Sequence, residues 1–452
     1  MLWLDSARRH PVTGRCSILG WDPWLTCEAR GARVRLTTSR GNHTLSDHPL
    51  RAVRRLLRRY ARPPSAGLPG GHPGLMGVLG YGLNRWIERV PEAKPAEPEV
   101  PDLLLYGMGG VIVAEHETNR CWALSVVNPD AASPRSARRE AEARLEWAQR
   151  VVDTAADRQE DAWGRQEPGR AGPLEPTMSQ AAFESIVRRA QESIAWGEIF
   201  QANLSQRFTA SWAGSPWPLY TALRGINPSP FACLLHSPSA SLVSCSPERL
   251  VQVRGDRASA RPIAGTRPRG KRPEDDALNS LELILSEKER AEHIMLVDLA
   301  RNDLGRICRA GSVVVEDLMA LEDYSHVMHI VSEVIGRTRP GVDAVDVIRA
   351  LFPGGTITGC PKVRAMEIIH ALEPVGRGWY TGSCGWLGFD GSLDLNILIR
   401  TITLADGRLS FHAGAGIVAD SDPSREYQET LAKAEALLEA LGAMPEAADA
   451  VV

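Results

Sequence analysis

Two pairs of carboxylates have the spacing of residues that share a task. Glu289 and Glu292 stand three apart in one stretch of helical pattern, and Glu426 and Glu429 stand three apart in another. Residues at i and i+3 lie on one face of a helix, so each pair can point at a single place. Four carboxylates brought together repel one another unless a cation sits among them. Magnesium suits such a site because it takes oxygen ligands and keeps several waters. Lys288, Arg290, Arg425 and Lys433 flank these positions, and solvated ion pairs satisfy the same spacing. The glycine turns Ala264-Gly265-Thr266, Gly354-Gly355-Thr356 and Gly414-Ala415-Gly416 can offer backbone N–H groups to an anion. Glycine is also the ordinary turn residue. Arg400 lies in a run of mostly apolar residues that reads as a strand. Buried there, it needs an anionic partner, and a substrate or a structural carboxylate serves equally. His326 and His329 sit between apolar residues, a setting commoner for core histidines than for catalysts. There is no phosphate loop, dinucleotide fingerprint, metalloprotease motif or nucleophile elbow.

The elements that must position these residues are mixed in type. Residues 74–81 and 107–114 read as strands, and 136–152 as a charged amphipathic helix. Residues 157–176 are rich in Arg, Glu, Gly and Pro and read as a linker or exposed loop. Residues 180–196 have a helical pattern with Ser179 as N-cap. Strands are expected at 242–253, around a Ser-Pro-Glu turn, and at 379–389, 395–404 and 410–418. Helices are expected at 280–299, 344–352 and 423–441. Strands and helices do not alternate regularly, which favours an α+β fold over a doubly wound one. The chain divides into an N-terminal region (1–152), the linker (153–177), a catalytic region (178–442) and a tail (443–452).

The bulk properties exclude several classes. With 452 residues, 43% of them hydrophobic, the chain can bury a large core. A net charge of -3, with both signs interspersed, implies no nucleic-acid partner. The first residues do not read as a secretion signal, and no apolar run is long enough to span a membrane. The 8 cysteines form no C-x-x-C pair. Reduced thiols in a cytoplasmic protein are the expectation.

Four longer segments taken together resemble a known family. They are Arg261-Pro262-Ile263-Ala264-Gly265-Thr266-Arg267-Pro268-Arg269-Gly270; Lys288-Glu289-Arg290-Ala291-Glu292-His293 with its continuation to Asp303; Pro353 to Lys362; and Gly414-Ala415-Gly416-Ile417-Val418-Ala419-Asp420-Ser421. They resemble the chorismate-binding enzymes, which include the anthranilate, aminodeoxychorismate, isochorismate and salicylate synthases. The resemblance implies an α+β unit in which two large antiparallel sheets pack as a sandwich with helices outside. It implies that Glu292 and Glu429 ligate magnesium, with Glu289 and Glu426 as acidic neighbours. Tyr380, Arg400, Gly414, Ala415, Gly416 and Lys433 would hold the substrate carboxylates, and Gly265 and Thr266 would line the ring. Glu248 would protonate the departing hydroxyl, with His329 and Thr356 beside the ring.

The resemblance also narrows the chemistry. Family members that add water to chorismate carry a lysine where this chain has Gln201, and glutamine cannot act as a base. An aminating enzyme is therefore expected, fed with ammonia by a separate glutamine amidotransferase subunit. Asn203, Gly354 to Gly359 and Asp394 to Ile397 match the para-aminating branch. Ala264 matches the ortho-aminating branch, since the best-known para enzymes have a nucleophilic lysine there. Para amination is the leading expectation and ortho amination the alternative. A catalytically silent sensor of chorismate or tryptophan is a third reading, disfavoured because Glu248, Glu292, Glu429 and Arg400 are all present. Ser6 with Pro228, Ser229 and Pro230 resembles the family's tryptophan-binding segments.

Overall fold

The computed structural model describes residues 1–10, 12–64, 74–92, 94–156, 169–270, 272–323 and 327–442. Its strands pair antiparallel into one continuous hydrogen-bonded network that folds back on itself. From strand Val327–Arg337 the pairing runs through Arg257–Ala260, Arg249–Arg254, Leu393–Asn396, Ser383–Gly388 and Gly74–Leu79 to Leu103–Glu115. It continues through Cys16–Arg30, Leu2–Asp5, Phe231–His236, Ser241–Ser246, Thr401–Ala405 and Arg408–Ile417 to Gln201–Ala213.

One core cluster is drawn almost wholly from strands. It joins Leu2, Ile18, Met76, Val78, Leu104 and Tyr106 to Cys233, Leu235, Leu242 and Trp386, and it fills the space between the two sheet layers. Helices cover the outer faces. Helix Pro423–Gly442 packs Ala434, Leu437 and Leu441 on Phe208, Phe411 and Leu409. Helix Gln180–Ala195 packs Phe183, Ile186 and Val187 with Leu204 and Ala415. The α+β sandwich expected from the sequence is the fold observed.

Several expected elements match closely. Ser179 caps helix Gln180–Ala195 by accepting from the Ala182 N–H at 3.3 Å. Helix Ala344–Leu351 opens with a reciprocal capping box between Asp343 and Asp346. Other expectations need correction. The single helix expected at 280–299 is two, Pro273–Leu285 and Glu287–Gly305, because Ser286 adopts an extended conformation and caps the second. The 395–404 strand is interrupted between Leu393–Asn396 and Thr401–Ala405, and Arg400 sits in the break with φ +50°. The 379–389 strand begins only at Ser383. Part of the 157–176 linker is sheet: Arg170–Ala171 and Glu175–Pro176 pair with strand Gln201–Ala213. Residues 157–168 of that segment, His326 and the 443–452 tail lie outside the described residues.

One buried ion pair joins the first half of strand Gln201–Ala213 to the segment around Ile357. Arg377 is 4% exposed and donates to both oxygens of Glu373, at 2.9 and 2.6 Å. It also reaches the carbonyls of Ile357 (2.9 Å) and Asn203 (2.7 Å). Glu373 in turn accepts from the N–H and hydroxyl of Ser205, both at 2.8 Å. Replacing Arg377 with Met would strand the Glu373 charge in the interior. We expect Arg377→Met to lower unfolding free energy by about 3–5 kcal/mol, read from the urea midpoint.

Candidate active site

Glu248 lies in the turn between strands Ser241–Ser246 and Arg249–Arg254. The turn is held by backbone: the Ile397 N–H donates to the Glu248 carbonyl at 3.0 Å, and the Glu248 N–H donates to Ser246 Oγ at 3.3 Å. The side chain is 5% exposed and accepts from Thr356 Oγ1 at 2.8 Å. Burial pushes its pKa up to about 7, against the hydroxyl of Thr356, the Ile263 N–H and the charges of Lys433 and Arg400. Desolvation is the largest of these effects, and the hydrogen bonds and the charges of Lys433 and Arg400 offset it only in part. Glu248 therefore keeps its proton to near neutrality and can donate it.

The floor of the site is the ladder between strands Gln201–Ala213 and Arg408–Ile417. It sets Asn203 opposite Gly416 and Ser205 opposite Gly414. A Cβ on Gly416 would lie 2.5 Å from Gln201 Nε2, and one on Gly414 would lie 2.7 Å from Asn203 Oδ1 and 2.9 Å from the Tyr380 hydroxyl. At Gly414, which would also meet the Leu204 carbonyl at 2.9 Å, close approach of backbone favours glycine; at Gly416 the near atom is the movable end of Gln201. Ala415 faces the opposite side and is fully buried in the core. Gln201 Nε2 donates to Glu292 Oε1 at 2.9 Å. Lys433 Nζ donates to the Gly414 carbonyl at 3.1 Å and pairs with Glu429 at 2.7 Å.

The four helical carboxylates converge electrostatically. Burial raises the pKa of Glu292, and the charges of Glu289 and Glu429 raise it further, opposed by Gln201 and Lys433. Burial and the Glu429 charge do the same to Glu426, whose Oε2 is buried with no hydrogen-bond partner among the described residues. Glu289 pairs with Arg267 at 3.2 Å. Among the described residues no three ligand-type side chains stand together as a ready-made metal shell. The repulsion on Glu292 and the orphaned oxygen of Glu426 nevertheless fit a divalent cation, which would relieve both.

The opposite wall is strand Ile263–Pro268. It bulges between Ala264 and Thr266 where it pairs with Val327–Arg337, and Gly265 takes φ +66°. A Cβ at Gly265 would meet Leu283 Cδ1 at 2.9 Å and Glu289 Oε2 at 3.1 Å. His329 Nδ1 lies 3.1 Å from the Gly265 carbonyl. Burial, then the charge of Arg400, push its pKa down to about 4, so the imidazole is neutral at pH 7. Ala264 is buried. Of Thr266 only the backbone is described. Tyr380 lies in a turn, stacked on His412 at 4.9 Å between ring centres, and burial raises its phenol pKa.

The expected tryptophan segments lie at a second place. A cavity of about 80 Å³, open to solvent, is lined by Ser6, Pro230, Thr13, Arg249, Trp386 and Asp394, among others. Ser6 Oγ donates to the Cys16 carbonyl at 2.7 Å. Ser229 is buried, with its hydroxyl on the Asn227 carbonyl at 3.2 Å, and neither it nor Pro228 lines the cavity. Asp5 is taken up by Ser17 (3.0 Å), Tyr220 (2.8 Å) and Arg224 (2.6 Å).

Sequence reasoning missed Arg377 and Glu373, although their i,i+4 spacing was a weak signal. It also missed Asp303 and Lys362, a buried pair at 2.6 Å.

The chain belongs to the chorismate binding enzyme family, which it matches over residues 11–439. It is 41% identical to aminodeoxychorismate synthase component 1 of Bacillus subtilis, over 97% of this chain and 93% of that protein. It is also 41% identical to anthranilate synthase component 1 of Synechocystis sp., over 98% of this chain and 90% of that protein. The crystal structure of anthranilate synthase component I from Streptococcus pneumoniae TIGR4 superposes with a TM-score of 0.81 at 30% identity, covering 95% of this chain and 93% of that one. The chain is a chorismate-utilising enzyme of the anthranilate and aminodeoxychorismate synthase group. If the glycine floor receives the substrate, a methyl group there must cost affinity. Gly414→Ala should raise the KM for chorismate roughly tenfold and also lower the melting temperature, since overpacking against the Leu204 carbonyl and Asn203 costs about 1–3 kcal/mol.

Proposed function

We propose that this chain is the synthase component that converts chorismate and ammonia to 4-amino-4-deoxychorismate. A glutamine amidotransferase subunit would supply the ammonia. The observation that carries the reading is the buried Glu248 held by Thr356, its pKa raised by burial to about 7, on the same site as a neutral Gln201 bonded to Glu292. An acid is in place for a leaving hydroxyl, and no base is in place at Gln201 to activate water.

Chorismate carries two carboxylates. Glu292 and Glu429, with Glu289 and Glu426 beside them, would hold magnesium, and bound there the ion would neutralise one substrate carboxylate. Lys433, Tyr380, Arg400 and the N–H groups of the Gly414–Gly416 floor would orient the substrate. Glu248 would give its proton to the 4-hydroxyl as the carbon–oxygen bond breaks, so that the hydroxyl leaves as water. The nitrogen of ammonia bonds to carbon 4 and sheds a proton, restoring the proton count. With Ala264 in place of a lysine, no covalent intermediate at that position is available, so ammonia itself is the nucleophile. The cavity at Ser6 and Pro230 would hold tryptophan.

Ala264 favours a second reading, in which ammonia enters at carbon 2 and the product is anthranilate. A product assay separates the two. Purified protein is incubated with chorismate, magnesium and ammonium, with and without aminodeoxychorismate lyase. We expect para-aminobenzoate only when lyase is present, and loss of turnover in Glu429→Ala. Anthranilate formed without lyase would establish the second reading.

A further inference from the structure

Lysine is out of place at the start of a helix, where the dipole disfavours a positive charge. Lys362 opens helix Lys362–Leu372 and is 9% exposed. Its Nζ donates to Asp303 Oδ2 at 2.6 Å and to the Leu351 carbonyl at 3.0 Å. Leu351 is the last residue of the preceding helix, so one ammonium joins the two ends of the 352–361 loop. Asp303 anchors that junction to helix Glu287–Gly305.

The loop so closed is the one that carries Thr356. Its Gly355 rests on the same helix, where a Cβ would lie 2.2 Å from Leu299 Cδ2. Glu292, Leu296, Leu299 and Asp303 recur at the spacing of one helix face. A single stripe therefore bears a metal-site carboxylate near one end, the seat of Gly355 in the middle and the Lys362 anchor at the other end. The loop also meets the floor: the Asn203 N–H donates to the Thr358 carbonyl at 2.8 Å, and the Phe200 N–H to the Cys360 carbonyl at 2.7 Å. An apolar pair of similar size would cost less to bury than Lys362 and Asp303, which leaves geometry as the reason for the charges.

We infer that the Lys362–Asp303 pair is a positioning device that closes the base of the 352–361 loop and fixes Thr356 against Glu248 in register with the helix bearing Glu289 and Glu292. The inference rests on Glu248 being the acid of the proposed reaction. The groups facing Glu248 are Thr356, the Ile263 N–H, Lys433 and Arg400, and those facing Asp303 besides Lys362 are Arg306 and Glu88. Of the groups facing Glu248, Thr356 is the one that the 352–361 loop carries, so the device reaches the Glu248 carboxyl most directly through it.

The test compares Thr356→Val, the charge-neutral double variant Asp303→Asn/Lys362→Met, their combination, and Lys362→Arg, with thermal melting as the check on folding. The double variant should lower kcat roughly tenfold with little change in the KM for chorismate, and Thr356→Val should do the same. The combination should be no worse than Thr356→Val, since both act through one hydrogen bond. Lys362→Arg should retain most of kcat. A readout independent of turnover is the titration of the Glu248 carboxyl by infrared difference spectroscopy. Its midpoint should move upward in both Thr356→Val and the double variant, because each removes a donor to the ionised form. A double variant with an unmoved midpoint, or with a kcat loss that multiplies fully with that of Thr356→Val, would overturn the inference. Failure of the proposed reaction is distinct: it would leave the wild type without 4-amino-4-deoxychorismate while the Glu248 midpoints still moved together.

Discussion

The antiparallel ladder between strands Gln201–Ala213 and Arg408–Ile417 is the constraint on which the site depends. Its register is fixed over ten pairs, from Ala202 opposite Ile417 to Ser211 opposite Arg408. A slip of one residue would turn Gln201, Asn203 and Ser205 away from the site and present Ala202 and Leu204 in their place. With the register set, Gly414 falls where a Cβ would crowd the Leu204 carbonyl and Asn203, Gly416 lies against the Gln201 amide, and Gln201 reaches Glu292 on another element. The Arg377–Glu373 pair then locks this ladder to the 352–361 loop, through the carbonyls of Asn203 and Ile357.

On that scaffold the same kind of side chain is given two fates. Glu248 is buried with a hydroxyl and an amide for company, so its proton stays on. Glu292 is buried beside other carboxylates, so its strain is mutual repulsion as well as desolvation. In the proposed reaction the first arrangement would serve as an acid and the second as a seat for a cation. Neutral His329, held on the Gly265 carbonyl, adds no charge between them.

Much of this was legible in the sequence. The paired carboxylates of helices Glu287–Gly305 and Pro423–Gly442 and the glycine turns were visible in residue type and spacing, and the family resemblance linked them to one site. Spacing along the chain does not carry local backbone breaks. Ser286 splits what reads as one amphipathic helix: its backbone is extended and its hydroxyl accepts from the Glu289 N–H as the cap of the second helix. Arg400 reads as a strand residue from its apolar neighbours, yet takes a left-handed conformation in the break between two strands. Residues 170–176 read as linker by composition, yet their backbone completes the edge of the sheet. The buried Lys362–Asp303 and Arg377–Glu373 pairs escape sequence reading for a different reason: charged side chains are exposed by default, and only the folded chain shows which ones are not.

The central claim is that burial makes Glu248 an acid at neutral pH. Its most direct test is a carboxyl titration of Glu248 by carbon-13 NMR with labelled glutamate, using Glu248→Gln to assign the signal. The account predicts a midpoint near 7, with the signal still protonated at pH 6. A midpoint at the ordinary glutamate value of 4.5 would contradict it, since the carboxyl would then be ionised throughout the neutral range and have no proton to give.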